Sequence, residues 1–86
     1  MTLAFSTNGW SDYVWWQGTD RATLKRINRL IDDALRSPTS GIGKPEPLKY
    51  QLGNIWSRRI TEEHRLVYEV RPDGIVILQA RFHYDA

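Results

Sequence analysis

The sequence predicts an α+β domain in which two N-terminal helices pack on an antiparallel sheet made by the second half of the chain. Three observations predict it. Apolar residues recur at helical spacing as far as Arg36, the period falls to two from Leu48 onward, and residues 37–47, rich in proline and glycine, divide the two regimes.

Leu3-Ala4-Phe5 is a short apolar run and predicts a first strand. Ser6, Thr7 and Asn8 are N-cap candidates for a helix carrying Trp10, Tyr13, Val14 and Gln17. Gly18 interrupts that pattern and Thr19-Asp20 restarts it, with Asp20 the better cap because a carboxylate is favourable at the positive end of a helix dipole. The longest helix is predicted from Arg21 to Arg36. Leu24, Ile27, Leu30, Ile31, Ala34 and Leu35 mark its apolar face, and Arg21, Lys25, Arg29 and Arg36 form a basic stripe elsewhere on it. Ser37-Pro38 ends the helix, since proline disfavours helical dihedrals in the residue before it. Residues 37–47 hold three of the four prolines and two glycines. The GIGKP run there is not a phosphate-binding P-loop, because the spacing is wrong and no Ser or Thr follows Lys44.

Residues 56–61, 64–70 and 75–84 predict three strands, preceded by a short pairing segment around 48–52. Arg71-Pro72-Asp73-Gly74 has the residues of a tight turn, and Glu62-Glu63 marks the turn before it. Sequential strands joined by short turns pair antiparallel. Alternation puts Trp56, Ile60, Leu66, Tyr68, Val70, Val76, Leu78, Ala80, Phe82 and Tyr84 on the face toward the helices. Ser57, Arg59, Arg65, Glu69, Gln79, Arg81 and His83 take the other face, which is poor core material and a suitable phosphate-binding surface.

Composition narrows the function. The chain of 86 residues allows one domain, residues 1–86, with one core. There is no cysteine, which removes disulfides, thiolate nucleophiles and thiolate zinc sites. The two histidines, His64 and His83, have no metal-ligand spacing, so neither metal nor cofactor is expected. No apolar run is long enough to span a membrane and no signal-peptide core is visible, which makes the cytoplasm the expected compartment. The net charge of +2 and pI near 9.2 hint at an anionic partner.

RNA can be cut without a metal when the ribose 2′-OH attacks the adjacent phosphorus. A base must take the 2′ proton, an acid must protonate the leaving 5′-oxygen, and cations must stabilise the extra phosphoryl charge. His83 suits the acid, because an unperturbed imidazole ionises at about pH 6.5. Glu46 lies between Pro45 and Pro47, which restrict its backbone and reduce the entropy lost in aiming a carboxylate. Arg65 has the planar fork that holds two phosphate oxygens, and Arg59, Lys44 and Lys49 can grip flanking phosphates. Tyr84 has the opposite strand parity to His83 and reaches substrate only if the strand ends or twists near its tip. His64, beside a turn, has no predicted role, and Trp15-Trp16 suit core and interface packing better than base stacking.

The runs Lys44-Pro45-Glu46-Pro47-Leu48-Lys49 and Trp56-Ser57-Arg58-Arg59-Ile60-Thr61-Glu62-Glu63-His64-Arg65-Leu66-Val67-Tyr68, with the ending Arg81-Phe82-His83-Tyr84, resemble the YoeB toxins of the RelE superfamily. Trp10, Asp12-Tyr13, Trp16-Gln17, Ile27-Asn28 and Leu30-Ile31 fit the same pattern, so the resemblance covers nearly the whole chain. It implies a RelE/YoeB-like, microbial-RNase-like fold with a curved sheet, and a ribosome-dependent endoribonuclease that cuts mRNA in the ribosomal A site and leaves a 2′,3′-cyclic phosphate. It also implies Glu46 as general base, His83 as general acid and Arg65 as transition-state stabiliser, with Lys49, Arg59 and Tyr84 assisting at substrate phosphates and bases. Its implied partners are a YefM/Phd-type antitoxin whose disordered segment folds on binding, the ribosome and its mRNA, and a second copy in a homodimer. The basic stripe of Arg21, Lys25, Arg29 and Arg36 is then a candidate contact to ribosomal RNA. Asp85-Ala86 extend past the usual family end and are expected to change activity little. The rivals are a non-nuclease poison of the same fold, like the ParE gyrase toxins, and a basic interaction module. The poison has no need of the Glu46, Arg65 and His83 set, and in the interaction module His83→Ala should preserve toxicity and binding alike.

Overall fold

The computed structural model describes residues 1–49 and 52–82. Its elements in chain order are β1 (Thr2–Phe5), α1 (Thr7–Thr19), α2 (Arg21–Arg36), β2 (Glu46–Pro47), β3 (Ile55–Arg59), β4 (Arg65–Arg71) and β5 (Gly74–Gln79). Ser6 caps α1, its Oγ accepting from the Gly9 N–H at 3.0 Å. Asp20 caps α2, accepting from the Ala22 and Thr23 N–H groups at 3.1 and 3.2 Å. Hydrogen bonds from the Thr23 hydroxyl and backbone hold the Asp20 carboxyl below its ordinary range. Gly18 does not break α1 but stays inside it. Among the described residues no helix is long and apolar enough to cross a membrane.

The five strands form one sheet in the order β1-β5-β4-β3-β2. β2 through β5 pair antiparallel, as the short turns between them require. β1 is different: it lies parallel to β5, Thr2 opposite Gly74 and Phe5 opposite Ile77, so the sheet is mixed. Short-turn reasoning governs only strands that are neighbours in sequence, and β1 meets β5 across nearly the whole chain.

The core forms where the apolar face of α2 meets the sheet. Ile27, Leu30, Ile31 and Ala34, with Trp16 of α1, pack on Ile60, Leu66, Tyr68, Ile75, Ile77 and Ala80. Gly9 lets α1 approach β5, since a Cβ there would run into the Ile77 carbonyl. In β5 the sequence-based alternation fails locally. Val67 pairs with Gln79 and the next residue, Tyr68, with Ile77, so Leu78 is an extra residue in a bulge. Ile75 and Ile77 therefore face the helices before the bulge and Ala80 after it, in place of the expected Val76 and Leu78. β5 ends at Gln79 rather than running to residue 84, and the short pairing strand is Glu46–Pro47 rather than 48–52. Leu48 adds one more bond to β3, its N–H donating to the Ile55 carbonyl at 2.9 Å; Tyr50 and Gln51 of the expected segment lie outside the described residues.

Arg58 is fully buried between the sheet and the 37–43 loop. A guanidinium has five N–H donors, and Arg58 meets five acceptors: Asp33 Oδ2 (2.6 Å), the carbonyls of Ile42 (3.1 Å), Ser37 (2.6 Å) and Ser40 (2.8 Å), and the Tyr68 hydroxyl (2.9 Å). The Tyr68 hydroxyl in turn donates to the Pro38 carbonyl at 2.6 Å. Burial pushes the Tyr68 phenol up, and the bond from Arg58 holds the Asp33 carboxyl below its ordinary value. Gly41 has φ of +117°, and a Cβ there would collide with the Asp33 carboxylate. This cage fixes the loop that leads into Lys44 and Glu46.

Candidate active site

Directly opposed residues in paired strands project to the same face of a sheet. Glu46 opposes Ser57, Ser57 opposes Val67, and Val67 opposes Gln79, which makes one row across four strands. Arg59 opposes Arg65 in a parallel row two residues along. Both rows lie on the face away from the helices, since the intervening Trp56, Ile60, Leu66 and Tyr68 belong to the core side. Ser57 and Val67 are buried and form a floor, while Glu46 and Arg59 stand exposed at the rim. At a strand spacing of about 4.8 Å and a rise of about 3.4 Å per residue, the Glu46 and Arg65 Cα atoms are about 12 Å apart.

Each charged group here is positioned by backbone. Glu46 is braced by Pro45, Pro47 and its pairing with β3, and its carboxylate has no side-chain partner among the described residues. Lys44, two residues before it, is in the left-handed region at φ 51°, a conformation costing roughly 1–2 kcal/mol outside glycine. The preceding Gly43 carbonyl is pinned by the Arg59 N–H at 2.7 Å. The Arg59 guanidinium has no partner among the described residues. Arg65 is partly committed: its Nη1 donates to the carbonyls of Thr61 (2.7 Å), His64 (3.1 Å) and Glu62 (3.2 Å). Its Nε and Nη2 keep no partner among the described residues, so a pre-oriented edge remains for phosphate oxygens. Lys49 is exposed in the turn after β2.

Residues 80–82, beyond β5, leave strand geometry, so parity no longer predicts their faces. Phe82 has φ of 63° and is 57% exposed, where alternation placed it in the core. Arg81, expected on the open face, instead lays its guanidinium over the Trp15 ring of α1 at 3.7 Å and over the Phe82 ring at 4.8 Å. Its Nε is buried and has no hydrogen-bond partner among the described residues. The Phe82 carbonyl accepts from the Arg65 N–H at 3.1 Å, and this brings the residue before His83 against β4 beside Arg65. His83, Tyr84, Asp85 and Ala86 lie outside the described residues.

Of the basic stripe, Arg21, Lys25, Arg29 and Arg36 are all exposed on α2. Arg36 makes a loose ion pair with Asp33 at 3.4 Å; the other three have none among the described residues. Sequence reasoning missed Arg58 and Arg26, whose guanidinium joins α2 to the Ile60 and Arg59 carbonyls at 2.8 and 3.0 Å. It also missed His64, whose Nδ1 accepts from the Phe82 N–H at 2.7 Å.

Solved structures of closely similar shape define the class as small toxins of toxin–antitoxin pairs. A YoeB/ParE toxin from Agrobacterium tumefaciens superposes with a TM-score of 0.91 at 49% identity, over 98% of this chain and all of that one. From Staphylococcus aureus, a YoeB dimer superposes at 0.90 with 41% identity and the toxin of a YoeB–YefM complex at 0.87 with 40% identity, each covering 98% of both chains. Toxin YoeB of Streptomyces coelicolor is 56% identical over 84 residues, 98% of this chain and the whole of the relative. The chain belongs to the family of YoeB-like toxins of bacterial type II toxin–antitoxin systems, whose family model matches residues 5–84.

Proposed function

We propose that this toxin is a metal-independent endoribonuclease that cuts mRNA in the ribosomal A site. In the reaction Glu46 takes the proton of the ribose 2′-OH, and the 2′-oxygen bonds to the adjacent phosphorus. The bond from phosphorus to the 5′-oxygen breaks, and His83 gives that oxygen a proton. The products are a 2′,3′-cyclic phosphate and a free 5′-OH. Arg65 stabilises the charge on the phosphoryl oxygens through Nε and Nη2, and Arg59, Lys44, Lys49 and Tyr84 hold flanking phosphates and bases. A substrate without the 2′-OH cannot enter this route, which restricts the enzyme to RNA.

The observation that carries the reading is the shared sheet face of Glu46, Arg59 and Arg65, with the Phe82 carbonyl bonded to the Arg65 amide one residue before His83. Base catalysis by Glu46 depends on bringing its carboxylate within hydrogen-bond reach of the 2′-OH, and the ribosome supplies that positioning. The exposed Arg21, Lys25, Arg29 and Arg36 supply contacts for ribosomal RNA phosphates. The Staphylococcus aureus relatives, one a dimer and one in complex with YefM, support a homodimer neutralised by a YefM-type antitoxin. The exposed Leu3, Trp10 and Val14 offer apolar area for such contacts, and the place of action is the cytoplasm.

Primer-extension mapping of a transcript on ribosomes tests the reading. The wild-type chain cuts within the A-site codon, and Glu46→Ala, Arg65→Ala and His83→Ala each lower cleavage about 10²-fold or more. Toxicity undiminished in His83→Ala, with no cut transcripts from either protein, would favour a non-nuclease poison or an interaction module.

A further inference from the structure

Resting on the nuclease reading above, we infer that His64 is a positioning residue for the general acid, acting through the turn it fixes at Phe82, one residue before His83. The segment 80–82 lies past the end of β5 and has no ladder partner, yet five of its six backbone polar groups are held one by one. The Ala80 N–H donates to the buried Asp12 carboxylate at 3.0 Å, and the Ala80 carbonyl accepts from the Trp16 indole N–H at 2.8 Å. Gln79 Nε2 donates to the carbonyls of Arg81 at 2.7 Å and Phe82 at 3.3 Å. The Phe82 N–H donates to His64 Nδ1 at 2.7 Å, and its carbonyl accepts from the Arg65 N–H at 3.1 Å.

The last two bonds grip Phe82 from both sides while its φ is 63°. A bulky residue keeps such a conformation only where its surroundings over-determine it. Phe82 is exposed, so the grip secures little core burial; what it fixes is the Phe82 backbone beside Arg65, one residue before His83. His64 is itself held, edge-on to the Trp16 ring with centroids 5.0 Å apart, and packed against the Phe82 ring at 5.6 Å. Accepting at Nδ1 requires the neutral tautomer with its proton on Nε2. General acid catalysis depends on placing the donor within hydrogen-bond reach of the leaving oxygen, so loss of this grip should slow the chemical step more than it weakens binding.

Three substitutions separate the bond from the packing. His64→Phe keeps a flat ring beside Trp16 and removes the acceptor. His64→Asn places a carbonyl oxygen where Nδ1 stood, and His64→Gln carries its oxygen one atom further out. Single-turnover cleavage on programmed ribosomes is measured as a function of toxin concentration, together with hydrogen exchange of the Phe82 amide. The expected result is a saturating rate about tenfold lower for His64→Phe with little change in the half-saturating concentration, faster Phe82 exchange, and recovery of both in His64→Asn but not in His64→Gln. If the Phe variant does not fold, the Asn–Gln comparison carries the test. Equal rates for Asn and Gln, or wild-type Phe82 protection in His64→Phe, would overturn the positioning role while leaving the nuclease reading intact. Absence of cleavage by the wild-type chain, with the Phe82 amide still protected through His64, would overturn the nuclease reading and with it the catalytic meaning of the grip.

Discussion

Arg58 and Arg59 are neighbours on β3 and project to opposite faces of the same sheet. Arg58 is sealed, with a carboxylate, three carbonyls and a hydroxyl around its guanidinium. Arg59 stands exposed with no partner for its guanidinium among the described residues. Two identical side chains one residue apart thus have opposite uses. A charge whose every donor is answered within the fold holds the fold together. A charge left open beside a braced, unpaired carboxylate is available to a ligand.

The largest effect in breaking this comparison should come from Arg58. Removing one partner of a buried pair leaves the other uncompensated, so Arg58→Ala should lower stability by about 3–5 kcal/mol in denaturant titration. Arg58→Lys should rescue little, because an ammonium cannot reach five acceptors arranged around a planar fork. Arg59→Ala should do the reverse: stability within about 0.5 kcal/mol of wild type, and ribosomal cleavage down by about tenfold, the effect of losing roughly 1.4 kcal/mol of phosphate binding. A large stability loss in Arg59→Ala would erase the distinction between the two faces.

The same contrast has a pH signature. The bond from Arg58, the Ile42 N–H and Arg36 hold the Asp33 carboxyl below its ordinary value of 3.8. A group whose folded pKa is depressed stabilises the fold above its unfolded pKa and loses that contribution as pH falls through the folded value. The wild type should therefore lose stability as pH drops below about 4, and Asp33→Asn, weaker at neutral pH, should show a flatter acid limb in thermal melts across that window. Smaller again is the effect of Lys25→Glu with Arg29→Glu, which should weaken ribosome binding in a salt-dependent way and leave the melting temperature unchanged. Trimming Asp85-Ala86 should change cleavage least of all.

Much of this was legible in the sequence. Both caps, the long helix from Arg21 to Arg36 and the inward side chains of β3 and β4 follow from spacing, because the periods of 3.6 and 2 reflect backbone geometry directly. The placement of Arg59 and Arg65 on one face followed from alternation, whereas Glu46, expected in a loop, owes its place on that face to a pairing with Ser57 that the sequence put at 48–52. Parity failed where the geometry stopped being regular. The bulge at Leu78 inserts one residue into β5, and no local residue type announces it. The turn at Phe82 depends on a hydrogen bond that its N–H donates to a residue 18 positions away, which periodicity cannot see. Arg58, by contrast, left a readable signal: it falls at an inward position between Trp56 and Ile60, and a charge there requires a buried partner, which Asp33 supplies. The parallel edge of β1 is a long-range pairing of the same unreadable kind.

On the proposed reading, the charges left open on the sheet face act on an RNA phosphodiester through its own 2′-OH. The most direct measurement uses a ribosome-bound mRNA carrying a single 2′-deoxynucleotide immediately 5′ of the mapped cut. The wild-type toxin should leave this bond intact and cut the all-ribose control at the same site to a 2′,3′-cyclic phosphate. Cleavage of the deoxy-substituted bond at the control rate would contradict it.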